Sequence, residues 1–188
     1  MTKKFPFGDR KAIIDLEKDY WNVITRDERE AERNRIPGIV NQAVKRGYLL
    51  KDEFIEMACW KSRRPISWYQ KNSESRIQSL SKRAFQARIR DEALRALDDL
   101  EGVALPTATA ILHWFRKDTP IIDVRVCGAF GIEERVARSK TYSYGSYADL
   151  AERIMEEAKR VGVTLRQMDR ALWVWDKTNK GRKGGSCR

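Results

Sequence analysis

Cysteine and histidine are the scarcest chemical resources of this chain. Its three cysteines, Cys59, Cys127 and Cys187, lie far apart, and no two stand at Cys-x-x-Cys spacing. His113 is the only histidine. A structural zinc site or an iron–sulfur cluster needs four such ligands at short spacings, so neither is expected, and no cofactor is called for. His113 lies inside the apolar run Ile111-Leu112-His113-Trp114-Phe115 and reads as a core histidine, not as the base of a Cys–His pair. Long apolar runs are missing too. Nothing approaches the ~20 residues that a membrane-spanning helix requires. The N-terminal MTKKFPFGDRK turns charged before a signal-like apolar stretch can form. The expected location is the cytosol, at the nucleoid if the source is bacterial. Acidic residues are in deficit: 27 Asp and Glu stand against 38 Lys and Arg, a formal charge of +11. Such a balance suits a polyanionic partner, either nucleic acid or an anionic membrane surface.

What remains is enough for a core, with 41% apolar residues in 188. The periodicity is helical nearly throughout. Residues 9–25 carry Ile13, Ile14, Leu16, Tyr20, Trp21 and Ile24 at helical spacing. A charged stretch, 27–35, follows, and Pro37-Gly38 is expected to interrupt the chain. A further helix over 39–46 should close on Gly47. Residues 51–62 predict an amphipathic helix ended by Arg63-Arg64-Pro65, with Phe54, Ile55, Ala58, Cys59 and Trp60 facing inward. Ser73 or Asn72 can cap a helix over 73–85. Residues 86–100 predict another, with Ile89, Ala93, Leu94, Leu97 and Leu100 on its apolar stripe. The run Ile121-Ile122-Asp123-Val124-Arg125-Val126 is β-branched, yet Asp123 is expected to cap a short helix ending near Ala129. Tyr142, Tyr144, Gly145 and Tyr147 mark a loop, and Ser146 can cap a helix over 147–161 that Gly162 ends. The last helix is expected over 164–176, and residues 177–188 form a basic tail. No internal repeat and no convincing strand is present. The expectation is an all-α chain with a single helical domain over 1–176.

The informative segment runs Leu97-Asp98-Asp99-Leu100-Glu101-Gly102-Val103-Ala104-Leu105-Pro106-Thr107-Ala108-Thr109-Ala110-Ile111-Leu112. It reads as helix, tight glycine turn, helix, a hairpin over about 88–115. Pro106 fits the first turn of the second helix, where its missing N–H needs no partner. Such a hairpin aims backbone amides and the positive end of a helix dipole at an anion. A DNA phosphate is a natural ligand, contacted without regard to base sequence. Gly102 allows the tight turn and close approach.

Together with Asp123 downstream, this segment resembles the helix-hairpin-helix DNA glycosylase superfamily, of the endonuclease III and adenine-DNA glycosylase types. The matching residues are Leu100, Gly102, Val103, Thr107, Ala108, Ile111, Leu112 and Asp123, and the likeness is most specific over 97–126. Residues 57–64 and 169–173 resemble small bacterial relatives of the same superfamily that lack the iron–sulfur cluster. The resemblance implies a compact helical protein with two lobes flanking a cleft, duplex DNA as partner and a monomer. It also implies that Asp123 is the catalytic carboxylate. Breaking the bond between base and sugar builds positive charge on the sugar ring, which a carboxylate stabilises while orienting the attacking water. The target base must first leave the stack, and Trp60, Trp68, Tyr69 or Trp114 could wall its pocket, although aromatics at such spacing are more often core. By the same resemblance Gly102, Val103, Ala104 and Thr107 form the hairpin's DNA contact, with Lys61, Arg63, Arg64 and Arg125 adding basic side chains. Asp123 has two plainer readings, a helix N-cap and an ion pair with Arg125.

Two departures narrow the chemistry. Ala104 replaces the second hairpin glycine. Pro106 stands where bifunctional members carry a Schiff-base lysine, so lyase chemistry by that route is excluded. The sequence therefore leaves open a monofunctional N-glycosylase using water, and a noncatalytic DNA-binding module on the same scaffold. A third reading is a scaffold whose basic face meets an acidic protein or a membrane.

Overall fold

A computed structural model describes residues 4–132 and 144–179. Every regular element among them is helical. In chain order these are α1 (Arg10–Val23), α2 (Arg26–Glu30), a π-helical turn (Ala31–Arg35), α3 (Ile36–Arg46), α4 (Lys51–Lys61), α5 (Ile66–Tyr69), α6 (Glu74–Gln86), α7 (Arg90–Asp98), α8 (Leu105–Leu112), α9 (Val124–Ala129), α10 (Tyr144–Val161) and α11 (Leu165–Asn179). No helix among the described residues is long and apolar enough to cross a membrane. Contacts group the described residues into two compact units, one of residues 25–119 and one of 4–24, 120–132 and 144–179.

Local capping chemistry sets many of the boundaries. The Asp9 carboxylate accepts from the Ala12 amide at 2.9 Å and starts α1. Thr25 and Glu28 form a reciprocal capping box at the start of α2. Ser73 Oγ accepts from the Arg76 amide at 3.2 Å and opens α6. Gly47, at φ +86°, closes α3.

Four expectations need correcting. Pro37-Gly38 does not interrupt the chain, because helix runs on from Arg26 to Arg46. The π turn resets the carbonyl register just upstream, and Pro37 falls in the first turn of α3, where its ring fits. Residues 86–100 are not one helix. The chain breaks at 87–89, where Arg116 reaches back to the Ala87 carbonyl at 2.8 Å and the Arg88 carbonyl at 3.3 Å. Those carbonyls are satisfied by a guanidinium rather than by another helical turn, and Ile89 is left 56% exposed. Tyr144 and Gly145 are helical, so α10 begins before Ser146. The C-terminal helix continues to Asn179, taking in the first residues of the expected tail. Tyr142 and residues 180–188 lie outside the described residues. The short α5 after Pro65 was not anticipated.

The unit of residues 25–119 packs Phe54, Met57, Tyr69, Ile77, Leu94, Leu97, Ile111 and Leu112, all buried. Arg116 also pairs with Asp118 at 2.8 Å, and Arg90 Nη1 donates to the Asp118 carbonyl at 2.7 Å. The Arg116 guanidinium beside it holds the Asp118 carboxyl below its ordinary value. A depressed folded-state value stabilises the fold at pH above ~4, the unfolded carboxylate value, and that contribution is lost as pH falls through the lower folded value. Acid unfolding should therefore shift toward neutral pH in Asp118→Asn, with the native and variant curves converging at the lowest pH. Parallel curves across the whole range would show that this pair contributes nothing.

The other unit buries Ile13, Tyr20, Val126, Leu150, Ile154, Met168, Leu172 and Trp173. Tyr20 and Trp173 meet edge to face at 5.6 Å between α1 and α11. Arg170 ties the same helices together through Glu17 at 2.7 Å.

Candidate nucleic-acid interface

The hairpin is built as the sequence predicts in outline, with a tightly packed turn. α7 ends at Asp98, Gly102 takes φ +81°, and α8 starts at Leu105 with Pro106 in its first turn. The buried Asn72 side chain pins the turn by a two-way bond to Glu101. Its Oδ1 accepts from the Glu101 amide at 2.9 Å and its Nδ2 donates to the Glu101 carbonyl at 3.0 Å. Gly102 backs onto α5, where a Cβ at that position would sit 2.7 Å from Trp68 Cβ.

Ala104 occupies the N-cap position of α8 and offers no side-chain oxygen. The donors at this helix start therefore depend on backbone alone. The Val103 amide bonds the Leu100 carbonyl at 3.1 Å, and the Thr107 and Ala108 amides bond the Ala104 carbonyl at 2.8 and 3.0 Å. The amides of Gly102, Ala104 and Leu105 have no acceptor among the described residues. Ala104 is exposed, and Gly102 and Leu105 are half-buried. Leu105 was not picked out in the sequence. The signal was there, since the first residue of a helix carries an amide with no partner inside that helix. Val103 and Thr107 sit inside the hairpin's packing, with Thr107 Oγ1 3.4 Å from the buried Tyr69 hydroxyl.

The expected basic side chains divide. Lys61 ends α4 half-buried, and Arg63 and Arg64 follow it exposed. Arg125 is engaged internally. Its Nη1 lies 3.4 Å from Asp176, which is 0% exposed, and its guanidinium stacks 5.1 Å above the Trp173 ring. The four candidate aromatics also separate. Trp60 and Trp114 pack edge to face at 5.7 Å, Tyr69 is buried, and Trp68 alone is exposed.

Asp123, in the other unit, caps α9. Its Oδ1 accepts from the Arg125 and Val126 amides, each at 2.9 Å. The Arg125 side chain bonds Asp176 instead of Asp123, so of the two plainer readings the cap describes the geometry. Burial pushes the half-buried Cys59 thiol up, against the pull of Arg63. His113 Nδ1 is 2.9 Å from the Thr119 carbonyl, a structural bond. Among the described residues no group of His, Cys, Asp and Glu could hold a metal ion.

Comparison with models of known protein families, with curated proteins and with solved structures finds no match to this chain.

Proposed function

We propose that this chain binds duplex DNA through the α7–α8 hairpin, on a helix-hairpin-helix glycosylase-like fold. We further propose that Asp123 serves as the carboxylate of a monofunctional N-glycosylase. The observation that carries the reading is the uncapped start of α8. Three amides, from Gly102, Ala104 and Leu105, stand at or just before it without acceptors among the described residues. An orphan donor set at the positive end of a helix dipole is an anion site. A chain of net charge +11 presents it to a polyanion. Arg63 and Arg64 add exposed cations in the same unit, and Arg125, held by Asp176, serves the packing of its own unit in this reading. The noncatalytic module stays in view because Asp123 has a structural task whether or not it has a chemical one.

Fluorescence anisotropy across a salt series tests the binding half. Affinity for an undamaged duplex should fall steeply with salt, by a log–log slope of about 0.9 for each phosphate contacted. No binding at low salt would overturn the proposal. The same titration on a duplex carrying a cationic abasic-site mimic tests the catalytic half. A preference for the mimic supports Asp123 chemistry, and equal affinity leaves the binding module alone.

A further inference from the structure

Trp68 is the large apolar side chain that the unit of residues 25–119 leaves exposed beside the hairpin turn. It is 50% exposed, although the core of that unit has room for Phe54, Tyr69 and Met57. Its backbone is fixed. The Trp68 amide donates to the Pro65 carbonyl at 2.8 Å, and its carbonyl accepts from Lys71 and Asn72 at 3.1 and 3.4 Å. Gly102 packs directly beneath its Cβ, so the ring projects from the seam between α5 and the hairpin turn. The Lys71 ammonium sits 3.6 Å from the ring centroid. Lys71 has no carboxylate partner among the described residues, so the ring is what positions this cation.

An exposed indole on a fixed backbone, a cation on its face and a set of orphan amides suit one kind of ligand. The amides and Lys71 suit phosphates. The indole suits the flat face of a nucleobase, and stacking there requires a base that is out of the helical stack. We propose that Trp68 and Lys71 extend the hairpin's DNA contact, Lys71 to a neighbouring phosphate and Trp68 to an unstacked base. The site therefore prefers duplex interrupted by an unpaired nucleotide over continuous duplex. This inference rests on the hairpin reading above, and it adds the form of DNA that the site selects.

The test uses the full chain and two fluorescein-labelled duplexes, one fully paired and one with a single unpaired thymidine bulge. The native protein should bind the bulged duplex roughly tenfold more tightly, a stacking contribution of ordinary size. Trp68→Ala should erase that preference while weakening the paired duplex no more than Lys71→Ala does, because the ring also positions Lys71, and Trp68→Phe should keep part of it. Lys71→Ala should weaken both duplexes alike and reduce the salt slope by about 0.9. Because both side chains are exposed, thermal melting of each variant should match the native protein. A native protein without preference, or a preference that survives Trp68→Ala, overturns the inference and leaves the hairpin reading standing. Failure of the native protein to bind either duplex overturns both.

Discussion

Asp123→Asn should abolish the proposed base release while keeping the cap on α9. Asparagine and aspartate are about equally good N-caps, so the amides of Arg125 and Val126 keep their acceptor in the variant. What asparagine removes is the negative charge. If Asp123 stabilises a cationic sugar and orients water, the rate should fall at least ~10³-fold, the loss typical of removing a general base or a main electrostatic contact. Asp123→Ala should lose both functions. The missing cap costs about 1 kcal/mol, a fall in Tm of roughly 2–4 °C for a chain of this size. Base release from duplexes carrying oxidised, deaminated and alkylated bases, followed beside thermal melting, separates the two roles. An asparagine variant as active as the native protein would confine Asp123 to capping α9. A native protein that releases none of these bases would favour the noncatalytic module.

Caps and stops were the legible part of this fold. Ser73 and Asp123 were each found from an oxygen-bearing side chain placed just ahead of an apolar periodic run, and each accepts a backbone amide there. Gly47 and Gly162 were found as helix stops, and both take positive φ. These signals are local, so a window of a few residues contains both partners. The break at 87–89 escaped because its cause lies 28 or 29 residues away, in Arg116. The fate of Arg125 escaped for the same reason, since Asp176 is 51 residues downstream. At the hairpin, the turn and the first-turn proline were readable, but the count of unpaired amides was not. That count depends on which carbonyls the folded turn brings within reach. Among the aromatics, spacing could not tell Trp68 from Trp60 or Tyr69. The difference is whether a neighbouring helix covers the ring.

Gly102→Ala should be the most damaging single-methyl change in the hairpin. At φ +81° an L-residue meets its own carbonyl, at a cost of about 1–2 kcal/mol. The new Cβ would also lie 2.7 Å from Trp68 Cβ and 3.0 Å from Tyr69 Cδ1. Neither neighbour can yield cheaply. The Trp68 Cβ is fixed by its own backbone, and Tyr69 is fully buried with its hydroxyl against Thr107. Forcing atoms into such a contact adds roughly 1–3 kcal/mol. The sum, about 3 kcal/mol, corresponds to a Tm roughly 6–12 °C lower. DNA affinity should fall with it, because relief of the clash must move the turn that holds the Gly102, Ala104 and Leu105 amides. Gly47→Ala supplies the control. Gly47 shares the left-handed conformation at φ +86°, yet a Cβ there would meet nothing within 4 Å. That variant should show the backbone cost alone and bind DNA as the native protein does. Equal losses of Tm in the two variants would mean that the contact with Trp68 and Tyr69 relaxes freely. A Gly102→Ala protein that melts early but binds DNA at full strength would place the phosphate contact elsewhere on the chain.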